Sequence, residues 1–261
     1  MKTRVLSGFI MLPFAILVFL GGKILMLACF AIGIMAVREF FNGFGSLGIK
    51  PSYIVAYLSS FALYAINIFS HEPKWYMLWF FVTVLASLLY LFNIQERKLE
   101  DAMATITGIF YTVFFSFHVT LVEQTGEYSI LVWLIFLTAF GTDIMAYFSG
   151  YLFGKHKLCP TISPKKTIEG SIGGTLGSIL LCAAFGYFLV PRILIHCIII
   201  GLLGSIVSQF GDLTASVFKR KMGIKDYGNL IPGHGGILDR FDSVLFTAPI
   251  IYYYIELVLL G

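Results

Sequence analysis

The chain has 261 residues, of which 58% are hydrophobic and 12% charged, with a formal net charge of +4. Soluble globular proteins carry about 25% charged residues, so this composition excludes an ordinary water-soluble domain. The small positive balance is no nucleic-acid signal, because its meaning lies in where the cations stand along the chain.

Mostly apolar runs of about 17–25 residues, the length that crosses a bilayer, recur from one end to the other. The opening MKTRVLSGFIMLPFAILVFLGG imitates a secretion signal. Leu20, Gly21 and Gly22 make a poor cleavage site, however, and another apolar run follows at once, so the stretch reads as a retained first helix. Nine spanning helices are expected, near 5–20, 24–41, 54–70, 74–92, 102–122, 128–153, 171–190, 193–217 and 243–260. The first two are short and joined by Gly21-Gly22, which suits a tilted hairpin. No alternation of the kind that builds a membrane β-barrel is visible. The expected fold is therefore an all-α polytopic integral membrane protein. One membrane domain is expected over 1–261, with N-terminal helices in 1–125 and, in 126–261, the helices and cytoplasmic loops that carry most of the polar residues. Cys29, Cys159, Cys182 and Cys197 show neither paired nor metal-like spacing; three lie in apolar runs and read as packing residues.

Nine crossings with a cytoplasmic N-terminus put 15 of the 18 cations on the cytoplasmic side, leaving only Lys23, Lys74 and Arg192 opposite. That asymmetry is what the positive-inside rule requires. The same arrangement puts the long polar connections KHKLCPTISPKKTIEGS (155–171) and Lys219–Ser243 in the cytoplasm, where a soluble substrate would arrive.

The chemistry concentrates in five aspartates of the second half. Asp143 lies within the sixth apolar run and Asp212 near the end of the eighth, while Asp226, Asp239 and Asp242 precede or open the last. A charged side chain at mid-membrane costs about 2.5–3.5 kcal/mol on insertion scales, which makes such residues functional candidates. Plainer readings stand beside this one. Asp143 could be neutral or lysine-paired, Asp212 a helix-end charge, and Asp226 a solvated loop charge. Asp239 and Asp242, three apart, share a helical face and complement the dipole at its N-terminus. Carboxylates beside a cytoplasmic loop suit a hard cation such as Mg²⁺. Ser163-Pro164 reads as an N-cap with proline at N1, placing Lys165 and Lys166 at an anion-attracting helix start. Lys219, Arg220, Lys221 and Lys225 add a second basic cluster, although positive-inside topology and anionic lipid account for such clusters too. Pro232, Gly233, His234, Gly235 and Gly236 form a loop whose backbone can approach an anion. His234 is read either as a loop-shaping residue or as a phosphate contact. Gly170/Gly174 and Gly173/Gly177 read as close helix packing.

The segment SVFKRKMGIKDYGNLIPGHGGILDRFD, Ser216 to Asp242, resembles the signature of phosphatidate cytidylyltransferases, also called CDP-diacylglycerol synthases. Its fixed positions correspond to Ser216, Lys219, Arg220, Lys225, Asp226, Gly228, His234, Gly235, Gly236, Asp239, Arg240 and Asp242. DIMAYFSGYLFGKHK, SPKKTIEGSIGG and QFGDLTAS resemble the family's other polar segments, so the likeness covers roughly 143–243; the first half resembles it only in hydropathy. The resemblance implies transfer of CMP from CTP to phosphatidate in the cytoplasmic leaflet, releasing pyrophosphate. It implies a Mg²⁺-dependent enzyme of the bacterial inner (cytoplasmic) membrane, among membrane lipids and with no nucleic-acid partner. A second, monovalent cation such as K⁺ and a homodimer belong to the same expectation. Carried over, Asp212 and Asp239 are the main metal ligands, with Asp143 supporting them. Lys225, Asp226 and Asp242 join the catalytic set, and Ser163, Lys165, Lys166, Lys219, Arg220, His234, Gly235, Gly236 and Arg240 face substrate. Two rivals are an ion-coupled transporter using Asp143 and Asp212, and another CTP-dependent lipid enzyme such as a polyprenol kinase. Against the first, the polar chemistry sits in one half rather than in matched repeats.

The orientation is checked by a reporter fused after Gly261, which is expected to register outside the cytoplasm; a cytoplasmic signal would mean that the helix count is wrong by one.

Overall fold

A computed structural model of the chain describes residues 14–70, 72–228 and 235–261. The first described helix, α1 (14–20), is separated from α2 (Gly22–Phe44) by Gly21 and Gly22, both at positive φ (59° and 53°). There follow α3 (Tyr53–Phe69), α4 (Pro73–Leu89), α5 (Leu99–Gly108), α6 (Phe115–Glu123), α7 (Val132–Phe153), α8 (Ile168–Leu189), α9 (Leu194–Lys221) and α10 (Leu238–Tyr254). α5 and α6 form one rod through the π-helical segment Ile109–Phe114. Among the described residues seven rods are long and apolar enough to cross a membrane, and Tyr53–Phe69 is a shorter apolar helix. Large apolar side chains such as Phe19, Phe69, Phe188 and Leu257 are exposed along these rods, as lipid-facing surfaces are and water-facing surfaces are not. The protein is an all-α polytopic integral membrane protein. Each expected helix from the second onward coincides with an observed one; most of the first, with Lys2 and Arg4, lies outside the described residues.

Two expected boundaries move, and both moves matter for the site. The last helix begins at Leu238 rather than 243, because the charges of Asp239, Arg240 and Asp242 hide its first turn from a hydropathy reading. Ser163-Pro164 does not start a helix either. Ser163–Thr167 is strand β2, antiparallel to β1 (Lys157–Cys159), with Lys157 opposite Thr167 and Cys159 opposite Ser163. The helix starts four residues later, where the Thr167 hydroxyl accepts the Gly170 N–H at 3.1 Å. Glu169, in the first turn of α8, accepts the amides of Lys155 and His156 and pairs with the His156 ring at 2.6 Å, tying the hairpin to the helix.

The connections gather at one end of the bundle and are chained to one another. The Ser46 hydroxyl donates to the Met222 carbonyl, the Lys50 amide to Asp101 (2.7 Å), and Arg220 Nε to the Ile162 carbonyl (3.4 Å). At the opposite end the Gly22 amide meets Glu123, and His196 meets the Tyr254 hydroxyl. Loops expected on the same side of the membrane thus meet on the same end of the molecule.

α7 and α8 pack along a glycine seam. A Cβ on Gly174 would come within 2.9 Å of the Thr142 carbonyl oxygen, and one on Gly170 within 2.8 Å of the Ala146 carbonyl oxygen. Backbones this close leave no room for side chains, which is the small-residue packing expected here. Gly211 does the same between α9 and α10, its missing Cβ lying 2.8 Å from the Asp242 carbonyl oxygen. Cys29, Cys182 and Cys197 are buried free thiols, as packing residues would be.

Gly174→Val should force α7 and α8 apart and destabilise the protein by about 1–3 kcal/mol, the usual range for overpacking. A lowered thermal midpoint in detergent would show it, with Gly174→Ala in between; an unchanged midpoint for both would contradict the seam.

Candidate active site

The glycine seams bring the aspartates of α7, α9 and α10 to one place, and the hairpin lays its lysines across them. Asp143, near the middle of α7, is exposed and opens onto a cavity of about 430 Å³. Lys165, Lys166, Tyr147, Tyr151 and Gln209 also line it. The Lys166 ammonium forms an ion pair with Asp212 of α9 and lies within electrostatic reach of Asp143 and Asp242. Burial pulls the Lys166 pKa below its ordinary value, while the Asp143 and Asp242 carboxylates pull it up. The two lysines differ in burial: Lys165 is exposed, whereas Lys166 is half-buried and paired with Asp212, although both line the cavity. The Gln209 side chain bonds Ser171 and Thr175, closing the cavity wall between α8 and α9.

A second centre adjoins the first. Asp239, in the first turn of α10 and with its side chain 3% exposed, accepts from Lys219 Nζ (2.7 Å), the Tyr227 amide (2.8 Å) and the Gly236 amide (2.9 Å). Gly235, at φ 83°, turns the chain tightly against this carboxylate. Asp242 is buried and accepts the Ser243 amide at 2.8 Å. It lies in electrostatic reach of Asp143, Lys219 and Asp239, so the two centres form one field. Arg240, half-buried, is in reach of Asp143. Tyr227 is buried with its hydroxyl on the Ala215 carbonyl, and burial, reinforced by Asp239 and Asp242, pushes its pKa well up.

The structure therefore brings together Asp143, Lys165, Lys166, Asp212, Lys219, Asp239, Arg240 and Asp242. Ser163 lies in the hairpin across from Cys159, and Arg220 is turned to the Ile162 carbonyl, so both stand at the hairpin's attachment rather than on the cavity wall. Lys225 and Asp226 are exposed on the loop before Tyr227. His234 lies outside the described residues. The amides of Gly236, Ile237 and Leu238 differ from the expected anion-receiving loop, since they are turned onto protein carboxylates. The acceptor at Ile237 and Leu238 is Glu39 of α2, which sequence reading missed. Its one sequence signal is an acid near the end of an apolar run, in AVREFF, and its neighbour Arg38 disguises that as an ordinary helix-end charge.

Among the described residues, no three His, Cys, Asp or Glu side chains form a ready-made metal cluster. The donors are all carboxylate oxygens, each offset by an ammonium or backbone N–H. Breaking such a buried pair from one side typically costs about 3–5 kcal/mol. Lys219→Met should accordingly destabilise the protein on that scale in thermal or denaturant unfolding, and adding Asp239→Asn should recover most of the loss. A double variant no more stable than the single would contradict the pairing.

Comparison with known proteins now bears on these residues. The profile of the cytidylyltransferase family matches residues 2–258. Curated relatives named phosphatidate cytidylyltransferase include one from Staphylococcus epidermidis (strain RP62A), 37% identical over 96% of this chain and 97% of its own length. Those from Staphylococcus aureus (strain COL) and Staphylococcus haemolyticus are 35% and 34% identical, with the same coverage of both chains. The match runs through the N-terminal helices, where only hydropathy had suggested a likeness, as well as through the carboxylate–lysine site. The chain belongs to the cytidylyltransferase family.

Proposed function

We propose that this protein is a phosphatidate cytidylyltransferase: it transfers CMP from CTP to phosphatidate, giving CDP-diacylglycerol and pyrophosphate. The observation that carries the reading is the field of Asp143, Asp212, Asp239 and Asp242 interleaved with Lys166 and Lys219, beside a cavity open at the loop end of the bundle. Such a field suits two anionic substrates that must be brought together. The relatives, which are named phosphatidate cytidylyltransferase, point to the substrate. Family membership sets the transporter aside, and those names speak against the polyprenol kinase.

In the reaction a phosphatidate phosphate oxygen attacks the α-phosphorus of CTP. The bond from that phosphorus to the bridging oxygen breaks, and pyrophosphate leaves with the electron pair. Positioning and electrostatic stabilisation supply most of the catalysis in such transfers. Lys165 and Lys166 line the cavity and would receive phosphate oxygens. Lys219 and Arg240 hold positive charge next to the carboxylates, where the charge of the leaving group develops. The apolar flank formed by Tyr147, Tyr151 and Leu158 would accompany the lipid's glycerol and upper acyl region. A site at the loop end lets CTP come from the cytoplasm and phosphatidate from the adjoining leaflet of the cytoplasmic (inner) membrane.

The donor set fits Mg²⁺, which takes hard oxygen ligands and is commonly held by one or two carboxylates plus substrate phosphates. Asp212 and Asp239, with Asp143 in support, would hold it once Lys166 and Lys219 turn to phosphate. When bound it would offset the repulsion between the substrates' phosphates. Asp242, buried beside this group, would remain as an oxygen donor toward a monovalent cation such as K⁺. A homodimer is part of the same proposal, and cross-linking in native membranes would display it.

Purified protein with Mg²⁺, CTP and phosphatidate should release pyrophosphate. Asp212→Ala and Asp239→Ala should each lower turnover at least a hundredfold while the protein stays folded. Full activity in both variants would overturn the site, and full turnover in EDTA would overturn the metal. UTP, dCTP and dATP competition in the same assay would report the base and sugar selectivity.

A further inference from the structure

The start of α10 has no cap of its own. Its N-cap position is Ile237, which offers no side-chain acceptor. The first N–H groups of a helix lack intrahelical partners and must be satisfied from elsewhere. Here three consecutive amides are shared between two carboxylates: Gly236 donates to Asp239 (2.9 Å), Ile237 to Glu39 (3.0 Å) and Leu238 to Glu39 (2.9 Å). Glu39 lies 198 residues away in sequence, on α2 of the N-terminal half. The first turn it holds carries Asp239, and the next carries Asp242.

Two glycines of the polar signature are shaped around this carboxylate. A Cβ on Gly228 would meet Glu39 Oε1 at 2.7 Å, and a Cβ on Gly236 would collide with both Glu39 carboxyl oxygens. The same face of α2 continues the grip one and two turns on. Gly43 accommodates the Met222 sulfur, at 2.6 Å from where a Cβ would stand, and Ser46 donates to the Met222 carbonyl. Phe40 packs edge-on against Phe218, with ring centroids 5.1 Å apart, and lies 6.0 Å from the Tyr227 ring. Residues 39, 43 and 46 are spaced to share one side of a helix and its extension.

We propose that Glu39 is a positioning residue of the reaction. It caps α10 from the N-terminal half and thereby fixes where Asp239 and Asp242 stand, and Gly228 and Gly236 are glycines in order to admit it rather than to admit substrate phosphate. This rests on the assignment of the reaction to the Asp239 site. Glu39 touches neither substrate nor metal in this role; it acts through the backbone of residues 237 and 238.

The test uses the full-length protein in detergent, with turnover on CTP and phosphatidate measured beside amide hydrogen exchange of the 235–241 segment. Glu39→Ala should lower kcat about tenfold while leaving the KM for phosphatidate within twofold. It should speed exchange at Ile237 and Leu238 at least tenfold, with α8 unchanged. Glu39→Gln, which keeps an acceptor and nearly the same shape, should fall between, and it carries the test if the alanine variant does not fold. Gly236→Ala should also lose activity, and the Gly236→Ala/Glu39→Ala double variant should be no slower than the slower single one, because one clash and one cap are at stake. A double loss equal to the product of the single losses would put Gly236 on the substrate and overturn the inference. Wild-type kcat and exchange in Glu39→Ala would overturn it too. Asp239→Ala is run in parallel: turnover surviving there would sink the site assignment itself, whatever Glu39 does.

Discussion

The ion pairs Lys166–Asp212 and Lys219–Asp239 are what allow this membrane protein to hold a cluster of acids on helices that otherwise face lipid and one another. An uncompensated carboxylate at that depth is expensive, and four near one another would also repel. Both lysines come from segments next to the loops: one from the hairpin between α7 and α8, the other from the last turn of α9. At 28 residues α9 is about 42 Å long, at 1.5 Å per residue, and outruns a hydrocarbon core of about 30 Å. Its last turns can therefore bring Lys219 out of the bilayer and back against Asp239. Under the proposed reaction, the same ammonium groups that neutralise the resting site would turn to the incoming phosphates.

Helix spacing is the second constraint, and it is met with glycines. The α7–α8 seam puts Asp143 beside the hairpin, and Gly211 brings α9 against the backbone of Asp242. The carboxylates converge because backbones touch, not because long side chains reach. At the α2 end the logic is inverted: there Gly228 and Gly236 clear space for a side chain, that of Glu39. One residue type thus serves two opposite geometric ends within the same site.

Much of this was legible in the sequence for physical reasons that can be named. Lipid demands apolar helices, so hydropathy located the spanning rods, and the cation asymmetry matched the loops that gather at one end. The 27-residue polar segment from Ser216 to Asp242 carried the family likeness, since fixed acids, cations and glycines at set spacing are rare by chance. What stayed hidden was of another kind. Ser163-Pro164 is equally compatible with a helix cap and a strand, and pairing with Lys157–Cys159 decided it. The α10 boundary was masked by the charges that make it useful. Glu39 was invisible because its meaning depends on a contact across most of the chain and on backbone amides, which carry no sequence letter.

The hairpin has a further consequence. Its two strands are not in simple register: Lys157 pairs with Thr167 and Cys159 with Ser163, so three residues of β1 face five of β2 across an irregularity. Lys165 and Lys166, which both line the cavity, lie in that stretch, and their place is pinned at Thr167, which ends the strand, pairs with Lys157 and caps α8 at once. The turn between Cys159 and Ser163 lies beyond that anchor, so it can absorb a change of length as most surface turns do. What the lysines depend on is Thr167, where one residue holds a strand end, a helix start and the approach of two cations to the acids.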